Sequence, residues 1–572
     1  VRDGELAAAA EEERFNRQKH YSDFPEQAIQ YCLDEAGVTI DQVDYIGFYE
    51  KPLIKFNRIL ETILAAWPKT YTSWLRSLPI WLGGKLHVVR EFQKKLGVDK
   101  DILFCQHHMS HAASAFLVSP FDEAAIITAD GVGEWTTTGW GVGRGTDIHF
   151  EKEIRFPHSV GLLFSAITAY LGFRVNDAEW KVMGLAPYGE PKYVDQFRQV
   201  VDVKDDGSFR LDMKYFSYIH STTRTVSREW EKLFGREQRN PETELDDFHS
   251  DIARSGQQVV EEIMVKMATN ARAKTGLDNL CIAGGVGLNC VANWRILEES
   301  GFKNIFIQPA AGDSGGALGT AFYIYNCVLK NPRSYVMKNA LLGPSFTDDE
   351  ILETLNQVEA TYEHVDSDDE LVSRTARMIA DGLVVGWFQG RLEFGPRALG
   401  SRSLLADPRD NKMKDVINAK VKFREPFRPF APAVLKERGH EYFEMPPGMD
   451  APFMLLVPKV RQEMHKVIPA VTHQDGTGRV QTVAEETNPL YYGVIKKFGE
   501  LTGVPVVINT SFNVRGEPIV RSPRDAYNTF VKTGIDAIVL GRYIVTEKPS
   551  EVDFEAGMRR SVALERGSLV KQ

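Results

Sequence analysis

The stretch Asn279–Ile296, "NLCIAGGVGLNCVANWRI", runs from an apolar segment through a glycine turn into a helical pattern. A short apolar run closed by Gly284-Gly285 reads as a buried strand, and the residues after it open a helix. Strand, glycine turn and helix in this order are the units of α/β folds, which hold phosphates on backbone N–H groups at such turns. Gly284 and Gly285 let the backbone approach a ligand closely, and the Asn289 amide suits a ribose or a base. A tight turn packed on a sheet explains the same glycines, and both readings stand on this stretch alone.

The plan repeats at Asn304–Tyr325, "NIFIQPAAGDSGGALGTAFYIY". Upstream, "AAIITADGVGEWTTTGWGVGRG" reads as a strand over Ala125–Thr128, an acidic turn at Asp130-Gly131, and a second strand. Ser159–Phe173 has helical spacing with a serine cap. A long amphipathic helix is expected from about Leu245 to Lys274, and a loop at Trp180–Pro191. Gly-Pro and a fresh helix start at Thr347 mark a boundary within Asn339–Glu350. Beyond it, Asp381–Arg409 is a strand leading into a basic loop, and Gly503–Val520 and Asp536–Val545 hold further strands. The chain therefore divides into domains at 1–340 and 341–572.

The 572 residues exceed one ordinary core, and 43% hydrophobic with 26% charged residues is the composition of a soluble globular protein. A net charge of −10 weighs against a dedicated nucleic-acid binder. The five cysteines form no CxxC, which suits a reducing cytoplasm and excludes a zinc ribbon. No apolar run has the length of a membrane span, and no signal peptide is expected. "WLRSLPIWLGG", Trp74–Gly84, is expected to be a buried loop, with an exposed apolar patch as its alternative.

"FCQHHMSHAASAF", Phe104–Phe116, places His107 and His111 four residues apart, on one face of a helix. That pair grips a divalent metal or packs against a neighbour. Asp130 and Asp313 both follow apolar strands, and each taken alone reads more readily as an N-cap or turn residue. Two histidines and two aspartates form a mixed N/O donor set suited to Fe(II), Zn(II) or Mn(II) more than to magnesium. Lys181, in "WKVMGLAPYG", is an anion-binding candidate, with a solvated lysine as the plainer account.

From Arg391 to Arg428 ten basic residues stand against five acidic ones. They lie in Gly/Pro loops, "GRLEFGPRALGSRS" and "KFREPFRPFAP", not along one helix face. Arginines held this way suit a bidentate grip on phosphate or carboxylate, with salt-bridging arginines or RNA contact as the alternatives. "GRVQTV" adds Arg479, and "INTSFN" adds Asn509 and Ser511 at a strand end.

Several of these motifs recur together in known proteins. HxxxH, "TADGVGE", "GGVGLN" and "GDSGGALG" in this order resemble the universal tRNA-threonylcarbamoyl transferase family. With "AEEERFNRQKH", "KVMGLAPYG", "FGPRALGSRS" and "NTSFNVRGEPIV", nearly the whole chain resembles the NodU/CmcH family of O-carbamoyltransferases. The resemblance implies an α/β protein with an N-terminal actin/hexokinase-like (ASKHA) carbamoyl-transfer domain and a C-terminal YrdC-like carbamoyl-adenylation domain. It implies a metal on His107, His111, Asp130 and Asp313, Fe(II) first and Zn(II) or Mn(II) otherwise. It implies a nucleotide against Gly284, Gly285, Asn289 and Lys181. Carbamoyl phosphate and ATP, the latter with Mg, would be held by Arg397, Lys422, Arg428, Arg479, Asn509 and Ser511, with Arg397, Lys422 and Arg428 catalytic. The acceptor would be a small hydroxyl compound, such as a sugar or natural product. The partners are these small molecules, with no nucleic acid; a homo-oligomer is compatible.

The chain starts at Val1, and Asp3-Gly4 reads as a hairpin turn. The family's first strand, with its histidine loop, has no counterpart, so a missing strand is expected and no general base is assigned. The competing functions are a tRNA threonylcarbamoyladenosine-type modifying enzyme, a sugar kinase and a non-catalytic nucleotide binder.

Overall fold

The computed structural model describes residues 1–549 apart from 242 and 426. Two compact units emerge. The first comprises Val1–Ala7 and Leu33–Met337, the second Ala8–Cys32 and the chain from Lys338 onward. Both are α/β, as the sequence indicates.

The first unit holds a short parallel pair, β1 (Ile46–Phe48) and β2 (Ile102–Phe104), and a five-stranded sheet. The sheet contains β3 (Glu123–Ala129), β4 (Thr136–Arg144) and β5 (Asp147–Arg155). A small hairpin, β6 (Val201–Val203) and β7 (Phe209–Leu211), lies outside it; β8 (Asn279–Ala283) and β9 (Asn304–Ile307) complete it in the order β5-β4-β3-β8-β9. β3, β4 and β5 form an antiparallel meander, while β3, β8 and β9 run parallel. Six consecutive residues of β3 are buried, as expected of a strand covered on both faces.

The helices that place the site are α1 (His107–Phe116), α2 (Val160–Tyr170), α3 (Asp247–Thr275), α4 (Cys290–Glu299) and α5 (Ser314–Phe322). Ser159 caps α2 by accepting from Leu162 N, and Asp246 with His249 forms a capping box at α3. α5 lies against α1 with almost no gap: a Cβ on Gly319 would fall 1.9 Å from the Ser110 carbonyl oxygen. Any side chain there would push the two helices apart. At the start of the unit Arg2 and Glu5 pair across Asp3-Gly4, the expected hairpin turn.

Two local expectations fail. Glu179–Leu185 is a helix followed by a 3₁₀ turn at Ala186–Tyr188, not a loop. Tyr71–Gly83 is a helix with Pro79 inside it, and much of its apolar surface is exposed, so the buried loop gives way to the apolar patch. Proline and glycine signalled a break, but the helical period of the surrounding apolar residues prevailed.

The second unit is built on one mixed eight-stranded sheet. Its strands are β10 (Glu363–His364), β11 (Val385–Phe388), β12 (Arg402–Ala406), β13 (Ala431–Leu435), β14 (Gln481–Val483), β15 (Val506–Ser511), β16 (Ala537–Leu540) and β17 (Tyr543–Val545). The order is β10-β17-β16-β11-β12-β15-β13-β14. Helices α6 (Asp348–Gln357), α7 (Asp368–Ala380), α8 (Pro489–Thr502) and α9 (Pro523–Val531) accompany it, α6 starting at a capping box on Thr347. Trp387, Val507 and Val539 of the sheet pack with Ile379 of α7 and Phe498 of α8 in one apolar core, each fully buried. Burying a side chain of that size contributes about 1.5–3 kcal/mol.

Residues 8–32, placed by the sequence with the N-terminal domain, pack in this second unit. Arg14 is buried and donates to the Gly395 carbonyl at 2.8 Å, and Arg17 donates to the Ile519 and Pro518 carbonyls at 2.6 and 2.8 Å. Tyr31 Oη donates to the Leu342 carbonyl at 2.9 Å. These are long-range polar anchors with no periodic signature.

Candidate metal centre and anion pocket

α1 begins directly after β2, with Gln106 as its extended N-cap. Its first turn points two imidazoles at the end of β3, where Asp130 sits. His107 Nε2 is 3.0 Å from Asp130 Oδ2 and 3.1 Å from His111 Nε2. Asp313, just before α5, brings Oδ1 to 3.7 Å from His107 Nε2 and 3.8 Å from His111 Nε2. One donor atom from each of the four residues lies within 4.8 Å of the others. His107 and His111 are buried, while the Asp313 side chain is 59% exposed and forms the solvent side of the cluster.

This donor set fits a divalent cation. A single proton on His107 Nε2 satisfies either the carboxylate or the second imidazole, not both. A cation among the four takes one donor atom from each at once. The Nδ1 atoms of both histidines are buried without a hydrogen-bond partner among the described residues. Burial opposes a charge on Asp130, but the hydrogen bonds and charges of His107 and His111 outweigh it and hold its carboxyl well below the usual range. His108 faces away, with Nδ1 2.8 Å from Thr128 Oγ1; burial, then His107 and His111, keep it neutral.

Two residues outside the four hold them in place. Glu134 accepts the His107 backbone N–H with both carboxylate oxygens, each at 3.1 Å, and the Lys51 N–H at 2.8 Å. A carboxylate on the first N–H of a helix satisfies an orphan donor and meets the positive end of the dipole. Tyr49 sets its ring 5.7 Å from that of His107. Glu134 was visible in "DGVGE" only as part of a motif; Tyr49 carried no signal.

The glycine turn serves this cluster. Gly284 adopts φ 92°, ψ 158°, a conformation essentially confined to glycine, and a Cβ there would lie 2.2 Å from the Ala129 carbonyl oxygen. Gly285 N–H donates to Asp130 Oδ1 at 3.0 Å. Asn289 is the N-cap of α4: Oδ1 accepts from Ala292 N and Gln257 Nε2, and Nδ2 donates to Gln257 Oε1. Lys181 is buried, with Nζ 5.4 Å from the Phe173 ring and 6.0 Å from that of Trp180. Both are enclosed by protein rather than displayed at the turn.

In the second unit the basic residues divide. Arg402 is fully buried, lies over the Phe388 ring at 3.6 Å, and donates to the carbonyls of Gln389, Ser401, Pro344 and Gly390. Arg409 pairs with Asp407. These are structural. Lys422 ends the π-helical turn Asn418–Lys422 and is buried. Its Nζ donates to the Ser511 carbonyl, to Ser511 Oγ at 3.2 Å, to the Asn513 carbonyl at 3.0 Å and to Asn513 Oδ1 at 2.9 Å. Burial, then Arg424 and Arg428, push its pKa well below the usual lysine range. Arg424 is pushed down likewise by burial, then by Arg428 and Arg479. Lys422, Arg424, Arg428 and Arg479 thus share one low-dielectric region, with Glu425 as the carboxylate paired to Arg428. Excess positive charge of this kind is relieved by an anion.

Asn509 and Arg397 adjoin through the loop that follows β11. Asn509 Nδ2 donates to the Ala398 carbonyl at 3.2 Å and to Gln481 Oε1 at 2.7 Å. Glu393 Oε1 accepts three backbone N–H groups of that loop, from Leu399 and Ser401 at 2.8 Å and from Arg402 at 3.1 Å. Glu393, Arg424 and Asn513 were not singled out by the sequence, because nothing local distinguishes a loop-bracing acid from a solvated one.

Comparison with known proteins gives matches along most of the chain. Residues 1–322 match the family model described as carbamoyltransferase N-terminus, and residues 376–547 that described as carbamoyltransferase C-terminus. The chain is 48% identical to the "Uncharacterized protein sll1178" of Synechocystis, over 96% of this chain and 94% of that one. It is 40% identical to the nodulation protein NolNO of Sinorhizobium fredii, over 96% and 78%. Nodulation protein NolO of Bradyrhizobium diazoefficiens is 39% identical over 78% and 79%.

Proposed function

The chain belongs to the carbamoyltransferase family, and from that premise we propose that it makes carbamoyl-adenylate from carbamoyl phosphate and ATP and passes the carbamoyl group to a hydroxyl acceptor, a sugar or natural product. One observation carries this reading: a four-residue metal-type donor set in one unit and a buried cationic group in the other, on a single chain. A kinase or a plain nucleotide binder has no use for both.

The first step belongs to the second unit. Water releases phosphate from carbamoyl phosphate and leaves carbamate. A carbamate oxygen then attacks the α-phosphorus of ATP, and the bond to pyrophosphate breaks. Such transfers depend on positioning and charge stabilisation rather than covalent catalysis. Arg428, Arg479 and Lys422 supply that charge, with Lys422 held rigidly by Ser511 and Asn513. Arg397 sits on a loop tied to Asn509 and braced by Glu393, which supports a phosphate-binding role for its guanidinium.

The second step belongs to the first unit. The acceptor oxygen attacks the carbamoyl carbon, its proton leaves, and AMP departs. His107, His111, Asp130 and Asp313 would hold the divalent cation, which supplies fixed positive charge for the departing phosphate. Glu134 and Gly285 keep two of those ligands oriented.

The test is incubation with ATP and carbamoyl phosphate without acceptor, with pyrophosphate and AMP measured by ion-pair chromatography. Pyrophosphate that requires carbamoyl phosphate, and that disappears in Arg397→Ala, is the expected result. Folded, metal-loaded protein that yields none overturns the proposal.

A further inference from the structure

The helices Pro52–Ala65 and Tyr71–Gly83 form a projection of the first unit whose inner side is firmly anchored. Arg58 lies over the Phe156 ring at 5.0 Å, Ser73 Oγ donates to the His220 carbonyl at 3.0 Å, and Phe56 packs on Trp81. Its outer side is apolar and bare. Leu64 near the end of the first helix, Trp67 in the turn that follows, and Tyr71, Leu75 and Leu82 of the second helix are its exposed apolar side chains. They are 70%, 53%, 52%, 54% and 52% exposed. The Trp67 and Tyr71 rings contact each other edge to face on the surface. Soluble proteins seldom leave so many large apolar side chains of one segment uncovered.

The charge around these side chains identifies what covers them. Between residues 51 and 96 nine lysines and arginines stand against two acidic residues, in a chain whose net charge is −10. Lys69, Arg76, Lys85, Arg90, Lys94 and Lys95 are all exposed. A second copy of this surface would bring like charges together across a two-fold axis. A nucleic acid would use the cations and the aromatic rings but leave the leucines in water. Leucine, tryptophan and tyrosine ringed by lysine and arginine is the surface that lies in the headgroup layer of an anionic bilayer. No helix among the described residues is long and apolar enough to cross a membrane. We propose that residues 52–96 form an interfacial docking surface for anionic lipid. This does not depend on the carbamoyl-transfer reading.

The test is co-sedimentation of the full chain with vesicles of phosphatidylcholine alone or mixed with phosphatidylglycerol. Binding to the mixed vesicles only, weakened by salt, is expected. Lys69→Glu with Arg76→Glu leaves the apolar side chains intact and should weaken binding about tenfold or more. Leu64→Ser with Leu75→Ser, at solvent-exposed positions, should abolish it with the circular dichroism unchanged. No binding to either vesicle overturns the proposal. So does equal binding to both vesicles, a lipid-free dimer that the serine variant dissolves, or retention by single-stranded RNA in place of vesicles.

Discussion

The backbone N–H of Gly285 donates to Asp130 Oδ1 at 3.0 Å, so the glycine turn after β8 orients a carboxylate of the metal-type cluster on β3. A turn of this sequence is ordinarily credited with holding a phosphate. Here one of its N–H groups is committed to the protein's own aspartate, and two adjacent strands of one sheet fix the geometry. The following outcomes are expected.

Gly284→Ala should be among the most damaging single-atom additions in the first unit. The new Cβ would sit 2.2 Å from the Ala129 carbonyl, at a backbone conformation costing a non-glycine residue about 1–3 kcal/mol before any clash. Urea unfolding should show a loss at least that large, and metal binding should weaken with it because Gly285 moves off Asp130.

Glu134→Ala removes the acceptor from the His107 and Lys51 N–H groups without touching a ligand atom. Loss of such a supporting partner typically weakens a metal about ten- to a hundredfold. Competition with a chelator measures it. His111→Ala should eliminate tight binding altogether, and equal behaviour of the two variants would contradict the assigned roles.

In the second unit, Arg424→Met should separate stability from anion binding. Burial and the charges of Arg428 and Arg479 already disfavour the Arg424 cation. Its removal should leave the melting temperature of the anion-free protein unchanged or raised. Added phosphate should stabilise the wild-type protein more than the variant, by mass action on the native state.

Acid stability should depend on His473. Burial first, and then Arg479, lower its pKa to about 4 from the ordinary 6.5, although Asp475 pulls the other way. The unfolded chain binds this proton more tightly than the folded one. Stability therefore falls as pH drops from 6.5 to about 4, by up to about 1.4 kcal/mol per unit, and is unaffected by this group above 6.5. In His473→Gln, denaturation curves across that interval should show a shallower pH slope.

Glu393→Ala should destabilise the second unit by about 3 kcal/mol or more. It leaves three buried backbone N–H groups without their acceptor. Glu393→Gln retains an oxygen at the same place and should lose much less, as thermal unfolding of the pair would show.

Of the metal-type cluster, the helical spacing of His107 and His111 was a local sign, whereas Asp130 and Asp313 read alone as cap or turn residues and joined the pair only through the family resemblance. The strand-turn-helix plan at 279–296 was legible from its local pattern. Polar anchoring was not. Nothing near Glu393 or Glu134 announces that its carboxylate serves backbone N–H groups, and Arg402 looked like the other arginines of the basic loops although both its terminal nitrogens are spent on carbonyls. The projection at 71–83 was misjudged because proline and glycine suggested a break, and apolar residues suggested burial. The helix absorbs Pro79, and the apolar side chains remain in water.

The assignment of Ala8–Cys32 to the second unit means the backbone passes between the units at three points, near residues 7, 32 and 337. No single proteolytic cut or gene split can liberate both units intact. Expression from Lys338 onward would strip away the arginines that cap the Gly395 and Ile519 carbonyls, and an N-terminal fragment would carry an unanchored loop. Study of either unit calls for point variants in the whole chain, or for a graft of residues 8–32 onto the second unit.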